Sequence, residues 1–481
     1  MKIPKTDLHS HPFLKPYGHS YYENNNPEDA RSGASPWMKD QNTGVDDLLE
    51  NAAGFAPYRQ SDFTSCKDGN VRMIVNSFYA VEQGFLDTKS EILDKVAGKT
   101  LANIITEFGK SWIAEIKSDT YNYYNDLLRQ MNYADILQNK VPLNGVSKYR
   151  VIRSGDKLLE ELKTGDLIVV NSFEGAQALC NGNDPADLLQ WNGIEDRIAQ
   201  IKNHACRPFF VTLAHHFYNG LCSHSESLFD LKEIIRGQEL GMGTLREWTS
   251  DDGVVHPPLC DREITPIGYK VIELLLTTDN GPSVLIDIKH MSEKARKEFY
   301  VYRKEIHPGL PVIYSHGATQ KYYPFEINLS ENDIREIVSS RGMIGIEIDQ
   351  RILGYNLSKG RFTKWFKNIF KKDQKQNMMW AKCYWDNLIH IAEVSYAAGL
   401  KENPWQCISI GSDFDGIINP LNEFRTIDRL DDLLVSLQEY LRLYWSEPNP
   451  VIPVNCGGAP SDVVYLIGYK NLVMFTQEHF K

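Results

Sequence analysis

The sequence predicts an α/β fold, a (β/α)8 TIM barrel with long loop insertions. Three observations point to it. Eight short β-rich apolar runs are spread along the 481 residues, helical patterns fill most of the intervals between them, and six of the eight runs end on a His, Glu or Asp.

The first run is Ile3 to Leu8 and the second Val71 to Phe78. The third, Leu167 to Phe173, opens after the turn-like Thr164-Gly165-Asp166, and the fourth, Phe209 to Ala214, follows Arg207-Pro208. Next come Val284 to Ile288, Pro311 to Ser315, Met343 to Ile348 and Cys407 to Gly411, three of them preceded by Gly- or Pro-containing turns. Helical patterns cover Ser90 to Gln130, Pro185 to Asn203, Ser292 to Ile306, Leu329 to Ser340 and Ala381 to Ala398. Near-continuous apolar strands alternating with helices imply strands buried on both faces, hence a parallel sheet. Length alone would suggest about three domains. Eight βα units in succession favour one barrel over residues 1–481, since that fold extends beyond about 400 residues when its loops are long. Residues 12–68, 223–262 and 357–380 are then insertions over or beside the active site.

Composition narrows the function. Apolar residues make up 42% and charged residues 24%, ordinary for a globular chain. A net charge of −11 repels phosphate backbones, so nucleic acid is not an expected partner. Eight cysteines with no Cys-x-x-Cys pair read as incidental thiols of a reducing compartment. No run approaches the roughly 18 apolar residues of a membrane span. The opening Met1-Lys2-Ile3-Pro4-Lys5 has no apolar core of a leader peptide, so the expected location is cytoplasmic.

The strand ends carry the chemistry. The first strand runs into His9-Ser10-His11, the third into Glu174, and the fourth, fifth and sixth into His215, His290 and His316. The eighth runs into Asp413-Phe414-Asp415-Gly416. In a barrel these ends face one pocket. Alternation puts His9 and His11 on the same side of their strand, where both imidazoles reach one divalent ion. Among abundant metals, nitrogen-rich ligation suits zinc best. His290 and His316 can hold a second ion, and Glu174 is placed to bridge the pair. Two ions sharing a hydroxide, with Asp413 as proton shuttle, form a hydrolytic site. His215, followed by the polar His216-Phe217-Tyr218-Asn219, is assigned to the substrate carbonyl, with Asn219 as a further contact. Taken singly, each motif has a plain reading: His-x-His as a polar pair, Glu-Gly or Asp-Phe-Asp-Gly as turns. Their joint placement favours a metal site. His216, Cys222 and His224 have metal-competent spacing but read as a polar loop. The basic and aromatic stretch from Lys359 to Lys375 can lie on an anionic membrane surface, but packing against the barrel or a partner subunit is the favoured reading.

In this order, these residues resemble the renal (membrane) dipeptidase family of the amidohydrolase superfamily. The resemblance rests on Asn171 to Leu179, Val211 to His215, Ile264 to Gly268, Val284 to Ser292, Pro311 to His316, Ile410 to Gly416 and Gly468 to Asn471. It implies a barrel with two zinc ions that hydrolyses dipeptides, often as a homodimer. It also implies His9, His11, Glu174, His290 and His316 as ligands, His215 as a substrate contact and Asp413 as the proton-handling acid. Two departures stand out. The family opens with His-x-Asp where this chain has His9-Ser10-His11. Its carboxylate-clamping arginine, about eleven residues after the last histidine, is absent from Tyr323 to Asn328. Lys321 can replace it as a point charge, without the bidentate fork. N-acyl amino acids are therefore an alternative substrate class, and a phosphoesterase of the histidinol-phosphatase type an alternative reaction, since Asp7-Leu-His-Ser-His11 also resembles the opening of those barrels.

Overall fold

Runs such as VRMIVNSF (Val71–Phe78) and LIVVNSFE (Leu167–Glu174) have no polar face to offer water, and the fold buries nearly every residue in them. The computed structural model describes residues 3–22, 24–40, 56–86, 102–103, 106–145, 147–227, 246–249, 255–259, 263–355 and 372–481. Its strands are β1 (Lys5–Ser10), β2 (Val71–Phe78), β3 (Tyr149–Val151), β4 (Leu167–Glu174), β5 (Pro208–Thr212) and β6 (Arg246–Thr249). The rest are β7 (Val255–Leu259), β8 (Leu285–Asp287), β9 (Ile313–Tyr314), β10 (Met343–Ile346) and β11 (Ile408–Ile410).

Eight of them pair in parallel in the order β1-β2-β4-β5-β8-β9-β10-β11. The ring closes just past β11, where Ser10 bridges Phe414, Asp413 N donates to His9 O at 2.9 Å and His11 N donates to Phe414 O at 2.8 Å. The seam of the barrel is thus made by the residues singled out as functional. The predicted barrel is present, with all eight expected strands in place. Several are shorter than their apolar runs: Val284 to Ile288 contributes Leu285–Asp287, and Pro311 to Ser315 contributes Ile313–Tyr314. Three strands were not expected. β3 pairs with the first residues of β4, on the edge that β5 takes from Asn171 onward. β6 and β7 form an antiparallel hairpin inside the 223–262 insertion.

Helices return the chain between strands, and their caps are written in the sequence. Ser292 accepts from Ala295 N at the head of Glu293–Ile306, and Ser330 with Asp333 forms a capping box on Glu331–Ser339. Thr265 caps Pro266–Leu276, whose proline stands at a position that needs no N–H donor. The closing helix Asn471–His479 and Phe480 pack Leu472, Val473, Phe475 and Phe480 against Leu8, Met73, Ile168 and Phe210.

The described parts of the 12–68 insertion pack into the hydrophobic core. Phe13, Trp37, Tyr58 and Phe63 are buried there, and Phe63 meets Tyr149 of β3 with ring centroids 4.8 Å apart. Asp415 pins this segment, accepting from Ser61 N at 2.9 Å and pairing with Lys15 Nζ at 3.2 Å. Most of the basic and aromatic stretch 359–375 lies outside the described residues. No described helix is long and apolar enough to cross a membrane. Of the seven described cysteines, six are buried.

Two glycines let barrel strands approach closely. A Cβ on Gly345 would lie 1.9 Å from Ser315 O, and one on Gly411 2.1 Å from the same oxygen. We expect Gly345→Ala to cost about 3 kcal/mol through overpacking. A denaturant midpoint equal to that of the wild type would contradict this packing.

Candidate metal centre and active site

The mouth of the barrel gathers side chains separated by up to 404 positions, from His9 to Asp413. Glu174, at the end of β4, stands in the middle. Its Oε1 is 3.6 Å from His9 Nε2, 3.3 Å from His290 Nε2 and 3.4 Å from His316 Nε2. Its Oε2 is 3.2 Å from His11 Nε2 and 3.5 Å from His215 Nε2. Asp413 completes the ring, with Oδ1 3.3 Å from His11 Nε2 and 3.6 Å from His9 Nε2. His9 and His11 point their Nε2 atoms at each other across 3.2 Å.

Local structure explains how they meet. Asp7, on the same side of β1, accepts from Ser412 N at 2.9 Å and so ties the first strand to the loop after the last. Asp287 does the same across β5, β8 and β9, accepting from Thr212 Oγ1 at 2.6 Å, Ser315 Oγ at 2.6 Å and Ser315 N at 3.0 Å. His290 and Asp413 both take left-handed backbone conformations, with φ of 65° and 58°. Such φ values are costly for residues other than glycine and collect at functional sites. Both residues lie just beyond their strands, β8 and β11, and line the pocket. Gly416 leaves room for one of them, since a Cβ there would lie 2.1 Å from Asp413 Oδ1.

Three groups of possible metal ligands lie close enough to share an ion: His9, His11, Glu174 and Asp413; Glu174, His290 and His316; and His215, His216 and His290. Donor atoms on a tetrahedral zinc stand about 3.3 Å apart, given bonds of about 2.0–2.1 Å. The histidine–carboxylate and His9–His11 separations in the first two groups, 3.2 to 3.6 Å, are of that size. Glu174 Oε1, Asp413 Oδ1 and His290 Nε2 are buried without a well-formed hydrogen bond. Buried lone pairs converging without donors are what a cation would satisfy. His11 is oriented for this task, because its Nδ1 lies 2.8 Å from Ser77 O and Nε2 is left to face the cluster.

The charges agree. Burial alone would raise Glu174, yet His215, His9 and the other imidazoles hold its carboxyl well below the usual range. Burial would lower His11, but Asp413 and Glu174 raise it to about 10, so the cluster stabilises positive charge at that nitrogen. Burial holds His290 and His316 well below the usual imidazole value, as neutral rings suited to ligation. The residues present therefore fit divalent metal.

His215 sits apart from these. Its Nδ1 faces both oxygens of Glu82, at 2.9 and 3.0 Å, and Tyr79 Oη also donates to Glu82. Burial opposes its charge, but Glu82 and Glu174 prevail and raise its pKa. Sequence reading missed Glu82, which lies in irregular chain after β2 and matches no motif. It also missed Glu347, Asp349 and Arg351, which line the pocket from beyond β10. The alternation Glu347-x-Asp349-x-Arg351 was the available signal.

Two expected substrate contacts are not brought to the pocket. Asn219 donates to Leu213 O at 2.7 Å and accepts from Leu221 N at 3.0 Å, so both ends of its amide hold a turn. Lys321 lies over the Tyr322 ring, its Nζ 3.3 Å from His390 Nδ1, and neither residue is on the pocket wall. The insertions contribute unequally: of the described residues, Ser227 lines the pocket from 223–262, whereas none from 12–68 does.

A parallel barrel with metal-competent carboxylates and imidazoles at its mouth defines a metal-dependent hydrolase. Residues 251–449 match the family described as membrane dipeptidase, peptidase family M19. That match spans less than half of the chain and agrees with the resemblance carried by the strand-end motifs. No curated protein matches it. Among solved structures, the dipeptidase AC, a metallopeptidase of family M19, aligns at 12% identity with a TM-score of 0.55, covering 100% of this chain and 99% of the other. A metallopeptidase from Rhodobacter sphaeroides, liganded with a phosphinate mimic of the dipeptide L-Ala-D-Ala, aligns at 13% identity with a TM-score of 0.52, covering 100% of both chains. The probable dipeptidase PvdM from Pseudomonas aeruginosa aligns at 14% identity with a TM-score of 0.51, covering 100% of this chain and 96% of the other. These likenesses concern the fold.

Glu174→Gln removes the charge that faces both histidine sets. After desalting, atomic emission should find less than about a tenth of the wild type's bound divalent metal in this variant, since ligand loss outweighs the 10- to 100-fold effect of an outer-shell change. Equal metal content in the two proteins would contradict the central place of Glu174.

Proposed function

We propose that the protein hydrolyses the amide bond of a small substrate, a dipeptide first and an N-acyl amino acid second, using two divalent ions, with zinc the best-suited metal. The observation that carries this reading is one buried carboxylate, Glu174, with His9, His11 and Asp413 on one side and His290 and His316 on the other. His9, His11, Glu174 and Asp413 would hold one ion, and Glu174, His290 and His316 the other. Bound there, the ions supply Lewis acidity towards the carbonyl oxygen and lower the pKa of water near it.

The chain's own groups do the rest. His215, whose pKa Glu82 and Glu174 raise, donates from Nε2 to the carbonyl oxygen as charge develops there. Burial lifts Asp413, although His11 and His9 pull the other way and Glu174 adds to the rise. A carboxylate displaced upward is suited to accept a proton from the attacking water and return it to the departing nitrogen. Overall, a C–O bond forms at the carbonyl carbon, the C–N bond breaks, and the amine leaves with the proton that Asp413 carried. The dipeptide mimic bound to the Rhodobacter sphaeroides structure is consistent with this substrate class. A homodimer is the assembly proposed from the family resemblance.

The test is a hydrolysis panel of L,L- and L,D-dipeptides, N-acyl amino acids and phosphate monoesters, with metal content measured alongside. We expect amide cleavage with about two ions per chain, lost on chelation and restored by zinc. Cleavage of phosphate esters alone would assign the chain to the phosphoesterase class instead. Asp413→Asn keeps an oxygen at the ligand position but cannot carry the proton. Its turnover should fall about 10²- to 10⁴-fold while bound metal falls far less. Near-normal turnover would remove Asp413 from the proton path.

A further inference from the structure

A dipeptide or N-acyl amino acid brings a free carboxylate into a pocket whose floor is already crowded with acids. Apart from histidines, two cationic side chains line that pocket among the described residues, Lys289 and Arg351. Lys289 is buried, its ammonium 3.4 Å from Glu347 Oε2 and 5.5 Å from the centre of the Tyr314 ring. Arg351 differs. Its side chain keeps 26% of its accessible surface, while Asp349, the carboxylate that holds it, keeps 1%.

That hold is extensive. Asp349 Oδ1 accepts from Arg351 N at 2.7 Å and from Nε at 3.0 Å; Oδ2 accepts from Nε at 3.0 Å, from Nη2 at 2.5 Å and from Asn419 N at 3.1 Å. Arg351 Nη2 also lies 3.4 Å from Ile417 O. Ile417 has φ of 65°, which a β-branched residue rarely adopts, and it lines the same pocket four residues after Asp413. The guanidinium is thus fixed by a buried carboxylate and by the loop that carries the proton-handling acid. An orientation set before binding spares the substrate the cost of ordering a long side chain. With its Nε and Nη2 edge taken up by Asp349, the guanidinium faces the pocket as a positive charge of fixed position.

From this geometry we infer that Arg351 binds the substrate's free carboxylate, with Asp349 as its positioning residue. This rests on the amide-hydrolase reading above and adds that the substrate must be a free acid. The binding cation then comes from the end of β10, not from the segment after His316, where the family's pattern has its arginine. Asp349 fixes the angle and Arg351 supplies the charge, so the two should separate in kinetics.

The experiment compares the dipeptide turned over fastest in the panel with its C-terminal carboxamide, using wild type, Arg351→Met and Asp349→Asn, each checked for metal content. Wild type should prefer the acid. Arg351→Met should raise KM for the acid about 30-fold or more, as expected for loss of one partner of a charge pair. It should leave the carboxamide nearly unchanged, so that the preference disappears with metal content intact. Asp349→Asn should raise KM for the acid by a smaller factor and keep part of the preference. If Arg351→Met retains the wild type's preference, the inference is wrong while the amide-hydrolase reading stands. If wild type cleaves neither dipeptides nor N-acyl amino acids, both fall together.

Discussion

One carboxylate buried among imidazoles is the constraint around which this molecule is arranged. Glu174 has no hydrogen-bonding surroundings of the usual kind; it has Nε2 atoms of five histidines within 3.2 to 3.6 Å. Removing such a charge from water is costly unless positive charge replaces the solvent. The protein gathers that compensation from β1, β5, β8 and β9, which only a closed ring of strands can aim at one point. The seam between β1 and β11 is part of the same arrangement. Its hydrogen bonds run through His9, His11, Asp413 and Phe414, so closing the barrel and assembling the site are one event.

Around this centre the fold uses acids that are not ligands as fasteners. Asp7 joins the first strand to the loop after the last, and Asp287 joins three neighbouring strands. Burial raises Asp7 to about 6, which marks a carboxyl used for its hydrogen bonds more than for its charge. Glu82 is a third such group, set against His215. The backbone strain at His290 and Asp413 is held in place by these ties and by the space at Gly416. The histidines consequently divide by environment. His11 and His215 are flanked by carboxylates and favour positive charge, whereas His290 and His316 are kept neutral. One residue type thereby occurs here in both neutral and charge-favouring surroundings.

Much of the fold was legible because two signals coincided: an apolar run and a metal-competent residue just beyond it. That coincidence marked the ends of β1, β4, β5, β8 and β9 and the loop after β11. β3 went unseen, since YRV is three residues long and has neither signal. The 12–68 segment looked like open loop for want of periodicity, yet Phe13, Trp37, Tyr58 and Phe63 are core residues there. Aromatic side chains placed irregularly in sequence can still be adjacent in space, and no local pattern records that. Asn219 illustrates the reverse error. A polar residue close to His215 in sequence suggested a substrate contact, but its amide is consumed by hydrogen bonds to Leu213 O and from Leu221 N.

By itself the sequence determined the barrel, the direction of its strands and the donor types at their ends. These depend on burial of apolar runs and on alternation along a strand, both local properties. The tertiary structure decided which donors share a point, that Asp413 stands at ligand distance, that Glu82 backs His215 and that Asp349 holds Arg351 on the pocket wall. Those are relations between residues brought together by chain closure, and distance along the polypeptide carries no information about angle or separation across the mouth of the barrel.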